Sequence, residues 1–275
     1  MTDSRVLQAC EPLFYGPQDY FPPGRLSAEA GRAAYETIVR AVRDAQAGGV
    51  HGIATAPINK EALALAGLPW RGHTEMLAAL TNATRVAMMF WSDKLRVVLL
   101  TIHMPLAAVP GALTIESVCG IIELTNRELP RFGIAHPRLA LAGLNPHAGE
   151  HGILGREETD VLEPAVVRSA TAGVNIAGPF PGDTIFLRAM RGEFDCVIAC
   201  YHDQGLIPIK MVAFGEAVNV TLGLPIVRTS VDHGTAFDIA GKGVADAESM
   251  VQAVLLAAKL TSADAPRLLG GHQHG

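Results

Sequence analysis

Two periodicities alternate along the chain. Residues Ala28–Ala47 place Tyr35, Ile38, Val39 and Val42 at helical spacing, and Gly48-Gly49 closes the stretch, so a helix is predicted there. Short unbroken runs of Val, Ile, Leu and Ala recur further on, and such runs fit strands covered on both faces. Strands are predicted over Gly52–Ala56, Val86–Trp91, Leu95–Ile102, Leu139–Leu144, Cys196–Tyr201 and Val218–Leu222, with Ser92-Asp93-Lys94 turning the second into the third. Helices are predicted from Pro57-Ile58-Asn59-Lys60 through Ala66, from His73-Thr74-Glu75 through Leu80, and over 114–130, 157–172, 185–190 and 247–260. Residues 1–24, with Pro12, Pro17, Pro22 and Pro23, read as a loop-like lead-in, and the tail from Gly270 reads as frayed. Strands alternating with helices predict an α/β fold: a mostly parallel sheet with helices on both faces and sites at the carboxyl ends of strands.

Composition narrows the function. The 275 residues are 49% hydrophobic and 18% charged, enough apolar material for one large or two modest domains without long disordered tracts. A net charge of -5 and a pI near 6.0, with no basic block, argue against nucleic acid. Met1-Thr2-Asp3-Ser4-Arg5 leads into no apolar signal region. The uncharged run Val97–Ile115 is broken by His103, Pro105, Pro110 and Gly111, and reads as core. Cys10, Cys119, Cys196 and Cys200 form no C-x-x-C pair, so reduced thiols in a cytoplasmic protein are expected.

Three histidines each follow an apolar run: His103 in Thr101-Ile102-His103-Met104-Pro105, His147 in Asn145-Pro146-His147-Ala148-Gly149-Glu150, and His202 in Tyr201-His202-Asp203-Gln204-Gly205. One histidine after a strand is more often structural. Three in similar contexts make a divalent-metal site an even alternative, with Asp203 and Glu150 available to orient a ring. Cys196, Cys200 and His202 would share a face of an extended strand, but buried thiols are favoured over a zinc site there. Lys210, Asn219 and Arg228 could hold a phosphate or carboxylate. The helix start at Gly72-His73-Thr74-Glu75 offers free N–H groups to an anion, or is simply a helix start. A fourth histidine, His233, lies in the polar stretch Thr229–Ala236, so the chemistry alone leaves the ligand set open. The chain carries no G-x-G-x-x-G after a strand, no P-loop and no G-x-S-x-G.

From about Gly24 to Leu260 the sequence resembles the 4-hydroxythreonine-4-phosphate dehydrogenase (PdxA-like) family. The resemblance is carried by Gly72-His73-Thr74-Glu75, Leu144-Asn145-Pro146-His147-Ala148-Gly149-Glu150, Tyr201-His202-Asp203-Gln204-Gly205, Asn219-Val220-Thr221-Leu222-Gly223-Leu224-Pro225 and Arg228-Thr229-Ser230-Val231-Asp232-His233-Gly234-Thr235. It implies two α/β/α lobes with a cleft between them, as in the isocitrate and isopropylmalate dehydrogenases. One lobe would be discontinuous over 1–70 and 206–275, and the other would span 71–205. It also implies a cytoplasmic homodimer with shared sites. Metal ligands are expected at His103, His147 and His202, one of them supplied across the dimer interface. Substrate contacts are expected at His73, Thr74, Lys210, Asn219 and Arg228, and His233 is not among the ligands.

The implied reaction is NAD-dependent (or NADP-dependent) oxidation of a secondary alcohol, then loss of CO2, aided by Zn, Mg or Co. Lys210 or Asp203 would take the hydroxyl proton. Family members normally begin with a strand and a Gly-Asp-Pro-x-Gly-Ile-Gly-Pro-Glu-like loop. That loop does not occur here, so the first strand and helix of one lobe are expected to be missing. A relative acting on D-threonate or D-erythronate 4-phosphate is the alternative within the fold, since Ala54-Thr55-Ala56-Pro57-Ile58-Asn59-Lys60-Glu61-Ala62-Leu63 looks closer to that branch. A noncatalytic metal-binding remnant and a metal-dependent hydrolase are the alternatives from other classes.

Overall fold

A computed structural model describes residues 21–262. Most of the expected lead-in, and the tail from Gly270, lie outside the described residues. Among those residues no single helix is long and apolar enough to cross a membrane.

Residues 21–83 and 224–261 form one compact unit. Helix α1 (Ala28–Gln46) starts at Ser27, whose hydroxyl accepts a hydrogen bond from Ala30 N at 3.0 Å. Strand β1 (Gly52–Thr55) is followed by α2 (Lys60–Leu65), capped by Asn59 accepting from Ala62 N at 2.9 Å. Helix α1 meets α2 at Gly31, where an added Cβ would stand 2.0 Å from the Ala62 carbonyl oxygen. Helix α3 (His73–Thr81) comes next. From the far end of the chain, β8 (Val227–Ser230) pairs in parallel with β1, Gly52 opposite Val227 and Thr55 opposite Ser230. Helix α9 (Glu248–Thr261) packs on both strands.

Residues Thr84–Gly223 form the other unit. In chain order its elements are β2 (Ala87–Trp91), β3 (Arg96–Leu99), α4 (Val109–Ala112), α5 (Ile115–Glu128), β4 (Leu139–Ala142), α6 (Glu163–Thr171), β5 (Ile176–Phe180), α7 (Gly182–Met190), β6 (Cys196–Ala199), α8 (His202–Ala213) and β7 (Val218–Leu222). The six strands lie in the order β7-β2-β3-β6-β4-β5. Only β2 runs against its neighbours, so the sheet is mostly parallel, as the apolar runs predict.

Period two along each strand splits the core. Phe90, Val97, Leu99, Ala142 and Val197 pack with Ile185 and Phe186 of α7 and with Leu206, Ile209 and Ala213 of α8. The alternate residues Met89, Val98, Leu141 and Ile198 are fully buried too, and α5 and α6 cover that second face. The uncharged run from Val97 is core only in part: β3 is buried, while Met104 and Leu106 are exposed.

Besides the single-turn α4, three elements lie outside the sequence expectation. Strand β5 contains Gly178-Pro179, which reads as a breaker; it is an edge strand, bonded only to β4, where a missing N–H is tolerated. Helix α8 contains Gly205 and Pro208, yet both fit: Gly205 lets the helix lie against Leu99 and Val97, with an added Cβ 2.6 and 2.7 Å from their side chains. Strand β8 is only four residues long.

Glycine-to-alanine changes in a helix ordinarily favour it by about 1 kcal/mol. Gly31→Ala is expected to do the reverse, because the methyl group would meet backbone: a net loss of about 1–3 kcal/mol by urea unfolding.

Candidate functional site

Strand β6 lies between β3 and β4, and all three run in parallel, so their carboxyl ends form one rim. Side chains bind that rim together. Thr101 Oγ1 donates to Cys200 O at 2.7 Å, linking the β3 and β6 ends. Gln204 donates from Nε2 to Gly143 O and accepts Cys200 N on Oε1, each at 2.6 Å, linking β6 to β4. Cys200 Sγ adds a bond to Ala142 O at 3.3 Å.

The expected histidines all leave this rim. His103 follows β3, His147 follows β4, and His202 is the first residue of α8 after β6. The rings of His103 and His202 stand 5.6 Å apart by centroid. Asp203 Oδ1 bonds His202 Nδ1 at 2.7 Å. A carboxylate can only accept, so Nδ1 carries a proton, and in the neutral ring the lone pair is then on Nε2. His103 and His202 line a cavity of about 490 Å³, and His147 lines a cavity of about 550 Å³; Tyr201 and Asp203 border both. Among the described residues no three His, Cys, Asp or Glu side chains gather closely enough to hold a metal. The rings of His103 and His202 thus face one cavity and that of His147 another.

The strand-face reading of Cys196, Cys200 and His202 is corrected. The strand ends at Ala199, and His202 belongs to a helix. Both thiols are fully buried, and burial pushes Cys196 up to about 12 and Cys200 higher still, so both are protonated core thiols, as favoured from the sequence.

His147 sits on unusual backbone. His147, Ala148, Gly149, Glu150 and His151 all have positive φ, between 46° and 79°. Each of the four non-glycine residues costs roughly 1–2 kcal/mol in that conformation. The turn is held from behind by Glu158, which is 1% exposed. Its carboxylate accepts from Asn145 N at 2.7 Å and from Asn145 Nδ2 at 2.9 Å. Asn145 Nδ2 also donates to Glu157 at 2.7 Å; hydrogen bonds from its own backbone and from Asn145 hold Glu157 below the usual carboxylate range. Glu150 is exposed within the turn, so of the two carboxylates expected to orient a ring it is Asp203 that does so.

Anion-binding groups occupy the other unit. Arg228 on β8 is 2% exposed, and its Nε and Nη2 donate to Thr55 Oγ1 at 3.1 and 2.7 Å. Burial lowers the guanidinium to about 10, so it stays charged at neutral pH. His73 opens α3 beside Thr74. Burial, then the charge of Arg228, drops its imidazole to about 3, and its Nε2 is buried without a partner. A neutral ring with an orphaned nitrogen at a helix start suits an oxygen ligand. His233 is exposed and bonds Gly234 O at 2.9 Å. In the second unit, Asn219 on β7 has a buried Oδ1 without a partner, and Lys210 is half-buried on α8.

Comparison with known proteins decides what this arrangement belongs to. The model of the pyridoxal phosphate biosynthetic protein PdxA matches residues 4–257. The chain belongs to the PdxA family. The 4-hydroxythreonine-4-phosphate dehydrogenase of Beijerinckia indica is 50% identical over 237 residues, 86% of this chain and 70% of that protein. The D-threonate 4-phosphate dehydrogenase of Salmonella typhimurium is 48% identical over 237 residues, 86% and 72% of the two chains. The crystal structure of the PdxA-family 4-hydroxythreonine-4-phosphate dehydrogenase from Klebsiella pneumoniae superposes with a TM-score of 0.84 at 46% identity, covering 88% of this chain and 73% of that one. The resemblance and the α/β fold drawn from the motifs are thereby borne out.

Four residues that matter locally were not singled out from sequence: Glu158, Gln204, Tyr201 and Thr55. Glu158 left a signal, since it lies at i and i+4 with Leu162 on a helix face that is otherwise buried and apolar, and a carboxylate there needs a partner. Thr55, Tyr201 and Gln204 left none, because their partners are distant in sequence or defined only by the rim.

His73 sets a pH dependence. The unfolded chain takes a proton near 6.5, and the folded protein resists it until about 3. Stability from this group is complete above 6.5 and is lost as pH falls toward 3. His73→Gln is expected to show a smaller drop in urea midpoint than the wild type between about pH 7 and about pH 5.

Proposed function

We propose that this protein is an NAD-dependent (or NADP-dependent), divalent-metal-dependent dehydrogenase of the cytoplasm. It would oxidise and decarboxylate 4-phosphohydroxy-L-threonine to 3-amino-2-oxopropyl phosphate in pyridoxal phosphate biosynthesis. The observation that carries this is 50% identity over 86% of the chain to a relative bearing the name of that dehydrogenase. The paired imidazoles and the buried cation agree with it, because the substrate has a hydroxyl and two anionic ends.

His103, His147 and His202 are the proposed ligands of Zn, Mg or Co. When bound, the metal supplies Lewis acidity toward the substrate hydroxyl, and NAD supplies the hydride acceptor. Asp203 fixes the tautomer of His202 so that Nε2 keeps its lone pair for a metal. Arg228, held by Thr55, gives a fixed positive charge for an anionic substrate end, and neutral His73 with Thr74 offers hydrogen bonds without changing that charge. Asn219 and Lys210 complete the proposed substrate contacts. Lys210 and Asp203 are the candidates for taking the hydroxyl proton; the hydrogen bond of Asp203 to His202 favours Lys210.

The second reading is a D-threonate 4-phosphate dehydrogenase, favoured by relatives of that name at 48% identity. The substrates differ at the amino-bearing carbon. In parallel assays at saturation, NADH is expected with 4-phosphohydroxy-L-threonine; turnover of D-threonate 4-phosphate alone would favour the second reading. Replacing His147 and His202 with Ala is expected to abolish both metal content and NADH formation, and unchanged values would refute the metal assignment.

A homodimer with shared sites is part of the proposal. Helix α8, which begins at His202, exposes Ile207 and Met211, and Phe214 just past its end is exposed too, the last two at 80% and 81%. Such exposed apolar side chains beside a site fit an interface between copies. Met211→Glu with Phe214→Glu is expected to give a monomer by light scattering and to reduce activity with it.

A further inference from the structure

The left-handed turn that carries His147 is the most strained backbone among the described residues, with six successive residues, His147–Gly152, at positive φ. At its ends the turn is closed by Ala148 N to Asn145 O at 3.1 Å, Ile153 N to Glu150 O at 3.2 Å, and Leu154 N to Gly149 O at 3.0 Å. Backbone strain of this kind persists where the surrounding structure holds it. Glu158 reaches it from the next helical segment. Each of its carboxylate oxygens accepts a hydrogen bond from Asn145, one from the backbone and one from the side chain, two residues before His147. The carboxylate also fills the space beneath the turn. A Cβ on Gly149 would stand 2.6 Å from one of its oxygens, and a Cβ on Gly143 would stand 3.2 Å from the other. The glycines of this loop are therefore shaped around a carboxylate, and its burial leaves it no water to bond instead.

We propose that Glu158 is the positioning residue of the His147 turn. It touches neither cavity and does not enter the chemistry. It fixes the imidazole by gripping Asn145 and supporting Gly149. The link from this turn to catalysis rests on the reading of His147 as a metal ligand. Asn145 is the coupling element, so Glu158→Gln and Asn145→Ala act on the same connection. Gln keeps the shape of Glu but turns one acceptor into a donor facing the Asn145 amide.

The experiment is amide hydrogen exchange on the metal-free protein, with zinc binding measured in parallel on Glu158→Gln, Glu158→Ala and Asn145→Ala. Exchange at Asn145, Ala148 and Leu154 is expected to rise about tenfold or more, while the amides of Leu139–Ala142 keep wild-type protection. Zinc affinity is expected to fall about ten- to a hundredfold. Combining Glu158→Gln with Asn145→Ala should add little to either single change. Wild-type exchange in the turn of all three variants would overturn the proposal. So would exchange that rises equally in Leu139–Ala142, or failure of all three to fold, since either makes Glu158 a general stabiliser. Faster exchange in the turn with unchanged zinc affinity would uphold the positioning role and refute His147 as a ligand.

Discussion

The site depends on three parallel strand ends being held level. Val97, Val197 and Ala140 stand side by side in the β3-β6-β4 register. A few residues further on, Thr101, Cys200 and Gln204 bind the same three segments crosswise. Parallel strands exchange their backbone bonds evenly but end abruptly, and the groups past the last ladder bond need partners. Here the partners are side chains from neighbouring strand ends, so the rim is satisfied and rigid at once. His103 and His202 come within 5.6 Å because both leave that common level after only a few residues.

The electrostatics of the two units differ in kind. In the unit of β1 and β8, a deeply buried guanidinium keeps its charge because burial lowers it only to about 10, and Thr55 accepts two of its N–H bonds. His73 gives up its proton, first because it is buried and then because of the charge of Arg228. The result is one fixed charge with a neutral hydrogen-bonding ring beside it, not two competing cations. In the unit of β2–β7, the His202 ring is steered by an exposed carboxylate instead, and burial acts on thiols that remain inert.

Much of the fold was legible because apolar runs covered on both faces look the same in sequence as in space. The strand β6 reads directly from Cys196-Val197-Ile198-Ala199. Local rules misled where context overrode them. Gly178-Pro179 signals a break, yet an edge strand tolerates it; Gly205 and Pro208 signal a break, yet α8 uses the glycine to approach β3. The placement of histidines after strands was readable from spacing. The choice among four histidines was not, and came only from long motifs in a fixed order. Partners such as Glu158 for Asn145, or Thr55 for Arg228 across 173 positions, depend on which segments the fold brings together.

The handedness of the His147 turn restricts which sequences can occupy it. Beta-branched residues scarcely enter the left-handed region, while Gly, Asn, Asp and His enter it more readily. Positions 147, 148, 150 and 151 are thus closed to valine, isoleucine and threonine whatever their role in chemistry. Position 149 is closed to every side chain, because a carboxylate occupies the room a Cβ would need. A loop that looks exposed, and so free to drift, is held by backbone geometry to a narrow alphabet. That restriction holds whatever His147 binds.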